Sequence, residues 1–504
     1  MENQSLTTKR SMPKIAGMDD SSRAALPTYP ASALFIDGRC IEATDDGDTP
    51  VFDPSTGAVI ARLPVAGPAE LEAAAAAAAR GFEVWRRVLP LERQRVIERA
   101  TALLRERAPA IAAVLTREQG KPLAEAEREV RLSADIIDFL AEEGKRLAAR
   151  GVPPRTPGVA SQTVQRVPVG PAAAFTPWNF PVNLPARKIG GALAAGCSVV
   201  LKPDERTPAS ALALVQCFAD AGLPAGVLNL VAGRPAQISQ ALIADERIAK
   251  VSFTGSVEVG RQLGALAAAQ GKRYTSELGG HAPVVVCADA DAVAVATLAV
   301  AAKYRNAGQV CASPIRFLVH RSRYAAFRDA FVAGAQALRV GPGLEPGVQM
   351  GPLIAPHRLE AMQGFVDDAR SHGARVACGG QRLDRPGWFY APTVLEDVPL
   401  AARVQREEPF GPIAVLDAFD DLDEAIARAN ALPYGLAAYG FTHDLRAAHR
   451  LADGLQAGMV GINHFGVSQP ETPFGGVKAS GIGHESGLEG LLGYTEVKFV
   501  SIAT

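Results

Sequence analysis

AAAFTPWNFPVNLPARKIGGALAAGCSVVLK, residues 172–202, sets one apolar run at Ala172 to Thr176 and another at Ser198 to Lys202, with an Ala- and Gly-rich spacer of helical length between them. Two short apolar runs joined this way read as a strand, a crossover helix and a parallel strand. Outward from this stretch the alternation continues through Val227 to Val231 and Val251 to Phe253, and Val284 to Val286 follows a turn at Glu277 to Gly280. A second alternation starts near Ala290 and includes Phe317 to His320, Val376, Ile413 to Leu416 and Met459 to Asn463. The fold class is therefore α/β, with two lobes meeting near residue 281.

Upstream, residues 1–28 read as an extension, and Leu34 to Ile41 and Val51 to Leu63 as strands broken at Asp53 to Gly57 that form an antiparallel hairpin. From Pro68 the chain turns helical, with seven alanines at 73–79 and an Arg-rich segment running to Ala148. Residues 151–158, rich in Gly and Pro, break that pattern, and Gln162 to Val169 alternates as a strand leaving the main body, its exposed part Val164 to Val169 needing an edge partner that a second subunit provides.

The 504 residues carry 52 basic and 53 acidic side chains, a formal charge of -1, and 48% hydrophobic residues. That balance supplies large cores but no bulk field for nucleic acid or an anionic membrane, so a small-molecule partner is expected. Six dispersed cysteines without a CxxC pair, and no apolar leader in the first 30 residues, point to a reducing, cytoplasmic setting. Eight scattered histidines offer no metal-ligand spacing, so no metal is expected.

Five segments carry candidate chemistry. Cys311, among small residues in NAGQVCASP, is a potential nucleophile at a loop-to-helix transition, where backbone N–H groups favour a thiolate; otherwise it is a small buried hydrophobe. Glu277, before paired glycines, is a candidate general base or a capping carboxylate. Asn179, between prolines, presents an amide to an oxyanion or closes an Asx turn. Thr254 to Gly260 places small residues at a helix N-terminus suited to phosphate, although it is not GxGxxG. Lys202 and Glu205 end another strand with a donor and an acceptor suited to a ribose. Arg187 and Arg305 are forked donors for a substrate carboxylate, or surface ion-pair partners.

Together these segments resemble the aldehyde dehydrogenase superfamily, in order and over residues 30 to 500. The matching pieces are FTPWNFP at 175–181, KPDERTP at 202–208, FTGS at 253–256, ELGG at 277–280, GQVC at 308–311, EEPFGP at 407–412 and PFGGVKASGIGHE at 473–485. The resemblance implies Cys311 as nucleophile, Glu277 as general base, and Asn179 with the Cys311 amide as oxyanion hole. It also implies a proton-relay pair of Lys188 and Glu485. Cofactor contacts then fall on Thr176, Pro177, Trp178, Lys202, Glu205, Gly255, Ser256, Gly279, Glu408 and Phe410. The implied activity is oxidation of an aldehyde through a cysteine thioester, with NAD as cofactor and NADP possible. Glu205 accepts from a 2′-hydroxyl and repels a 2′-phosphate, which favours NAD. The family architecture implies a Rossmann-like NAD-binding domain of 29–147 plus 169–280, a catalytic domain of 281–487, and oligomerisation segments at 148–168 and 488–504 that build a homodimer or homotetramer.

Within the superfamily the chain looks most like succinate-semialdehyde and 2-oxoglutarate-semialdehyde dehydrogenases. Arg187, Arg305, Ser468 and Phe474 fall where the substrate is held, implying a short aldehyde with a distal carboxylate, succinate semialdehyde first and the glutarate and 2-oxoglutarate semialdehydes as alternatives. His281 departs from the pattern of many succinate-semialdehyde enzymes, and Ser313 stands where some relatives carry a second cysteine. Two rivals are a non-catalytic protein on the same scaffold, disfavoured by intact Cys311, Glu277 and Asn179, and an acylating enzyme, disfavoured by Glu277.

Overall fold

A computed structural model describes residues 29–503; the extension read over 1–28 lies outside the described residues. The chain builds two large sheets. The first runs, strand by strand, Gly481–Ile482, Arg273–Glu277, Lys250–Thr254, Ala172–Phe175, Val199–Lys202, Leu228–Leu230, Leu34–Ile36 and Arg39–Ile41. Its five inner strands are parallel, and both edges are antiparallel. After Ala172–Phe175 the chain adds strands first on one side and then, from Lys250–Thr254, on the other. A crevice therefore opens beyond the carboxyl ends of these two neighbours, the usual ligand position in an open α/β sheet.

The second sheet orders Arg375–Cys378, Thr393–Glu396, Ile413–Phe419, Pro314–His320, Ala282–Val286, Ala437–Phe441 and Met459–Ile462. Phe317, Phe327 and Phe331 pack ring against ring beneath it. The last parallel strand of the first sheet ends at Glu277 and the next strand, Ala282–Val286, belongs to the second sheet.

The stretch that decides the fold is buried except at Pro177 and Phe180, which are half-buried. Every residue of the helix Asn183–Ala195 is buried, with the helix Leu123–Gly144 packed against it. A helix enclosed on all sides needs small residues where neighbours press. A Cβ at Gly190 would lie 3.1 Å from the Leu140 side chain, and one at Gly191 3.0 Å from the Tyr494 ring.

Three expectations are corrected. Leu34 to Ile41 is not one strand: Asp37 and Gly38, both at positive φ, turn it into its own hairpin. Asp48–Phe52 and Val59–Pro64, on either side of the expected break at Asp53 to Gly57, form a second one. The edge of Val159–Pro168 is covered within the chain by Thr495–Ala503, with Arg150–Gly151 on the other side. Gly481–Ile482, inside the expected range 281–487, pairs with Arg273–Glu277 of the first sheet, because the chain crosses back and carries Glu485 to the first lobe. No described helix is long and apolar enough to cross a membrane.

Candidate active site

Two cavities meet at one thiol. The first, enclosing about 950 Å³, is the cleft between the lobes and is lined by Asn179, Glu277, Gly279, Cys311, Glu408 and Phe410 among others. The second, about 700 Å³, is bordered by Phe180, Arg187, Arg305, Cys311, Ser468 and Phe474. Cys311 lines both.

The placement of Cys311 differs from the expected loop-to-helix transition. The helix Ala292–Tyr304 ends before it, and the strand Pro314–His320 begins after it. Between them Asn306, Ala307 and Gly308 all have positive φ, a sharp reversal that presents Cys311 to the cavities. Gly308 is obligatory there, since a Cβ would sit 2.1 Å from the Gly411 carbonyl oxygen. With no helix N-terminus at hand, burial and then the Glu408 and Glu277 carboxylates push the thiol up to about 12, against the opposing influence of Arg187. The resting group is the thiol, so it needs a base and a positive charge before it attacks.

Glu277 ends its strand with both carboxylate oxygens buried and without hydrogen-bond partners. Burial, and then the Glu485 carboxylate, hold its pKa well above the ordinary range, against Lys188 and Arg187. A carboxylate with free lone pairs and a raised pKa is suited to accept a proton from the thiol or from water. Lys188 pairs with Glu485 and donates to Ser252 Oγ at 3.1 Å, all inside the protein. The proposed relay pair is thus assembled behind Glu277.

Asn179 sits in the turn between Ala172–Phe175 and the buried helix. Its Nδ2 donates to Gln309 O at 3.2 Å, which ties it to the Cys311 loop and leaves its second N–H for another acceptor.

The cleft also fits a dinucleotide. Thr176 Oγ1 and Thr254 Oγ1, at the ends of the two strands flanking the crevice, and Glu408 Oε1 are buried without partners. Ser256 caps the helix Val257–Ala269 by accepting from Val259 N, at the lip of the same cleft. Trp178 meets Phe410 edge-on, with ring centroids 5.6 Å apart. A Cβ at Gly279 would come within 2.2 Å of Glu408 Oε2, so glycine keeps that carboxylate in place. Burial raises Glu408 to about 8. The cleft continues past Pro177, Trp178, Gly255 and Ser256 to Lys202. Glu205 does not join its lining; it binds Lys202 at 2.8 Å, and Asp204 grips Arg206 with two bonds at 2.7 and 2.8 Å.

In the second cavity Arg187 is 2% exposed and donates to Asn183 Oδ1, Ser486 Oγ and Ser468 Oγ at 3.0, 2.5 and 2.7 Å, with its guanidinium 4.5 Å from the Phe474 ring. All these partners are neutral. Arg305 lies over the Phe180 ring at 5.7 Å. Neither arginine forms an ion pair among the described residues.

Sequence reasoning missed Arg128, which lines the second cavity, and Arg206, which lines the cleft although it stands inside KPDERTP. It also missed Lys303, wholly buried, hydrogen-bonded to Ser313 Oγ and lowered to about 7 by burial. Arg128 and Lys303 belong to ordinary-looking helices, and only the tertiary fold singles them out.

The comparisons agree with this geometry. Residues 41–500 match the aldehyde dehydrogenase family. The chain is 48% identical over 472 residues to 4-(hydroxymethyl)benzenesulfonate dehydrogenase TsaD1 of Comamonas testosteroni, covering 94% of this chain and 98% of that one. It is 41% identical to glutarate-semialdehyde dehydrogenase of Pseudomonas putida over 93% and 97% of the two chains. The crystal structure of succinate-semialdehyde dehydrogenase from Burkholderia pseudomallei superposes with a TM-score of 0.91 at 41% identity, covering 94% of this chain and 98% of that one. The thiol where two cavities meet therefore has its explanation in descent: the chain belongs to the aldehyde dehydrogenase family and shares its NAD(P)-binding, Rossmann-like fold and its NAD(P)-dependent oxidation of aldehydes.

Proposed function

We propose that this chain oxidises a semialdehyde whose far end carries an anion, with succinate semialdehyde as the first substrate to test. The observation that carries the reading is the buried Arg187, held only by neutral partners in the cavity that ends at Cys311. A buried guanidinium without a counter-charge is costly, and an incoming carboxylate supplies two acceptors in the matching fork. Arg305 and Arg128 line the same cavity, together with the carboxylates of Glu125 and of Glu129, the latter already paired with Lys121. The relatives act on a carboxylate-bearing and a sulfonate-bearing compound by name, and a distal anion is what these share. The Phe180 and Phe474 rings lining this cavity also favour a second substrate, an aryl sulfonate aldehyde.

In this reading Glu277 takes the thiol proton and Cys311 attacks the aldehyde carbon. The Asn179 amide and the Cys311 N–H hold the oxyanion, and Glu277 then activates the water that hydrolyses the thioester. Bound in the cleft, NAD(P)+ would supply the hydride acceptor. Lys188 and Glu485 carry the proton away from Glu277.

The test is Arg305→Gln, assayed with succinate semialdehyde and with uncharged butyraldehyde. Loss of one charge-assisted contact is expected to raise KM for the anion by about tenfold and to leave that for butyraldehyde within about twofold. Equal losses on both would overturn the anionic assignment. A panel with glutarate and 2-oxoglutarate semialdehydes, 4-formylbenzenesulfonate and cationic betaine aldehyde then ranks the chemistry of the far end.

For the cofactor we infer NAD over NADP. Lys202 is engaged by Glu205 and Arg206 by Asp204, so this strand end holds two neutralised pairs and no spare cation for a 2′-phosphate. The ratio of kcat/KM is expected to favour NAD by about tenfold or more; a strong NADP preference would contradict it.

A further inference from the structure

We propose that Lys121, which touches neither cavity, is a positioning residue for the oxyanion hole: with Glu129 and Asn306 it fixes the turn that carries Asn179 against the loop that carries Cys311. Lys121 sits between the helices Ala108–Gln119 and Leu123–Gly144 and is 1% exposed. Its Nζ donates to Asn179 O at 2.7 Å and to Glu129 Oε2 at 2.6 Å, and lies 4.0 Å from the centre of the Phe180 ring. The other Glu129 oxygen accepts from Val182 N and Asn183 N at 3.0 and 3.1 Å, where the buried helix begins. One ion pair thus grips the Asn179 turn at its carbonyl and at the Val182 and Asn183 amides where the buried helix begins.

Asn306 fastens this turn to the nucleophile loop. Its Nδ2 donates to Asn179 O at 3.0 Å and to Gln309 O at 3.2 Å, the same Gln309 oxygen that receives the Asn179 side chain. Gln119 Nε2 holds Asn306 Oδ1 at 2.8 Å, and Gln119 Oε1 accepts from Lys121 N at 3.0 Å, which closes the circuit. Gln119, Lys121, Glu129, Asn179, Asn306 and Gln309 are all buried. Such a closed network, in which Asn179 Oδ1 alone among the side-chain polar atoms of these six residues lacks a partner, fixes geometry far better than its members do singly, and oxyanion stabilisation depends steeply on donor position. Burying a charged pair this completely is weak evidence for a stability role, because an apolar pair of similar volume would serve as well. Its contribution is orientation.

The inference rests on the oxyanion role proposed above for Asn179, and a double-mutant cycle separates the two. Asn179→Ala alone is expected to lower kcat/KM by about 100-fold or more; an unimpaired Asn179→Ala enzyme refutes the oxyanion role itself. Lys121→Met is expected to cost about 100-fold in kcat/KM, with the dissociation constant for NADH within about twofold. In the Asn179→Ala background the same substitution should cost less than about threefold, because the donor it positions is gone. Lys121→Arg, which keeps a cationic donor, should recover part of the loss. Should Lys121→Met fail to fold, Gln119→Leu cuts the circuit one bond away without stripping a buried charge, and should lose about tenfold with the same non-additivity. Losses that multiply independently in the two backgrounds, or a folded Lys121→Met enzyme with wild-type activity, overturn the inference.

Discussion

Cys311→Ala is expected to lower kcat by about 10⁴-fold or more, because Cys311 is, among the described residues, the one thiol lining the two cavities. NADH binding should be retained, since none of the cofactor-cleft residues with unpartnered oxygens, Thr176, Thr254 and Glu408, depends on the thiol. The check is steady-state reduction of NAD with succinate semialdehyde, alongside NADH binding by fluorescence. Retained turnover in the alanine enzyme would remove the thiol from the mechanism. Cys311→Ser should rescue little, because an alkoxide is harder to form beside Glu277 and Glu408 than the thiolate already is.

The second large effect is expected at Glu277. Glu277→Gln keeps the shape of the side chain but removes the base, and kcat should fall by about 10²- to 10³-fold, with acylation slowed and thioester hydrolysis slowed more, because water needs the base more than the thiol does. The pH dependence carries the same information. Burial and the Glu485 carboxylate raise Glu277, so its basic form accumulates only as the pH climbs past the ordinary carboxylate range. Hydrolysis should accordingly rise with pH through that elevated value and stay flat in the glutamine enzyme. A wild-type limb in the ordinary carboxylate range would contradict the desolvated geometry. An unchanged limb in Glu277→Gln would assign the base elsewhere.

Much of the fold is legible locally. Strands such as Ala172–Phe175 and Val199–Lys202 are short apolar runs because both faces of a parallel sheet are covered, and that pattern survives in any single sequence. Thr176, Lys202, Thr254 and Glu277 stand at the carboxyl ends of these and the neighbouring parallel strands, so the cleft follows from the strand ends. The surroundings of Cys311 were misread because small residues suit a helix start and a left-handed reversal equally well, and only the run of positive φ at Asn306, Ala307 and Gly308 decides between them. The pairing of Val159–Pro168 with Thr495–Ala503 joins segments more than 300 residues apart, and alternation states the need for a partner without naming it. Lys121 was invisible for a related reason. Its meaning lies in a carbonyl 58 residues away, while in sequence it is one lysine after a glycine.

The most direct test of the account is intact-protein mass spectrometry of the Glu277→Gln enzyme after acid quench of a mixture with succinate semialdehyde and NAD. The account predicts a stoichiometric succinyl adduct on the Cys311 peptide, absent when NAD is omitted and absent from Cys311→Ala. An enzyme that turns over aldehyde without any acyl mass on Cys311 would contradict it.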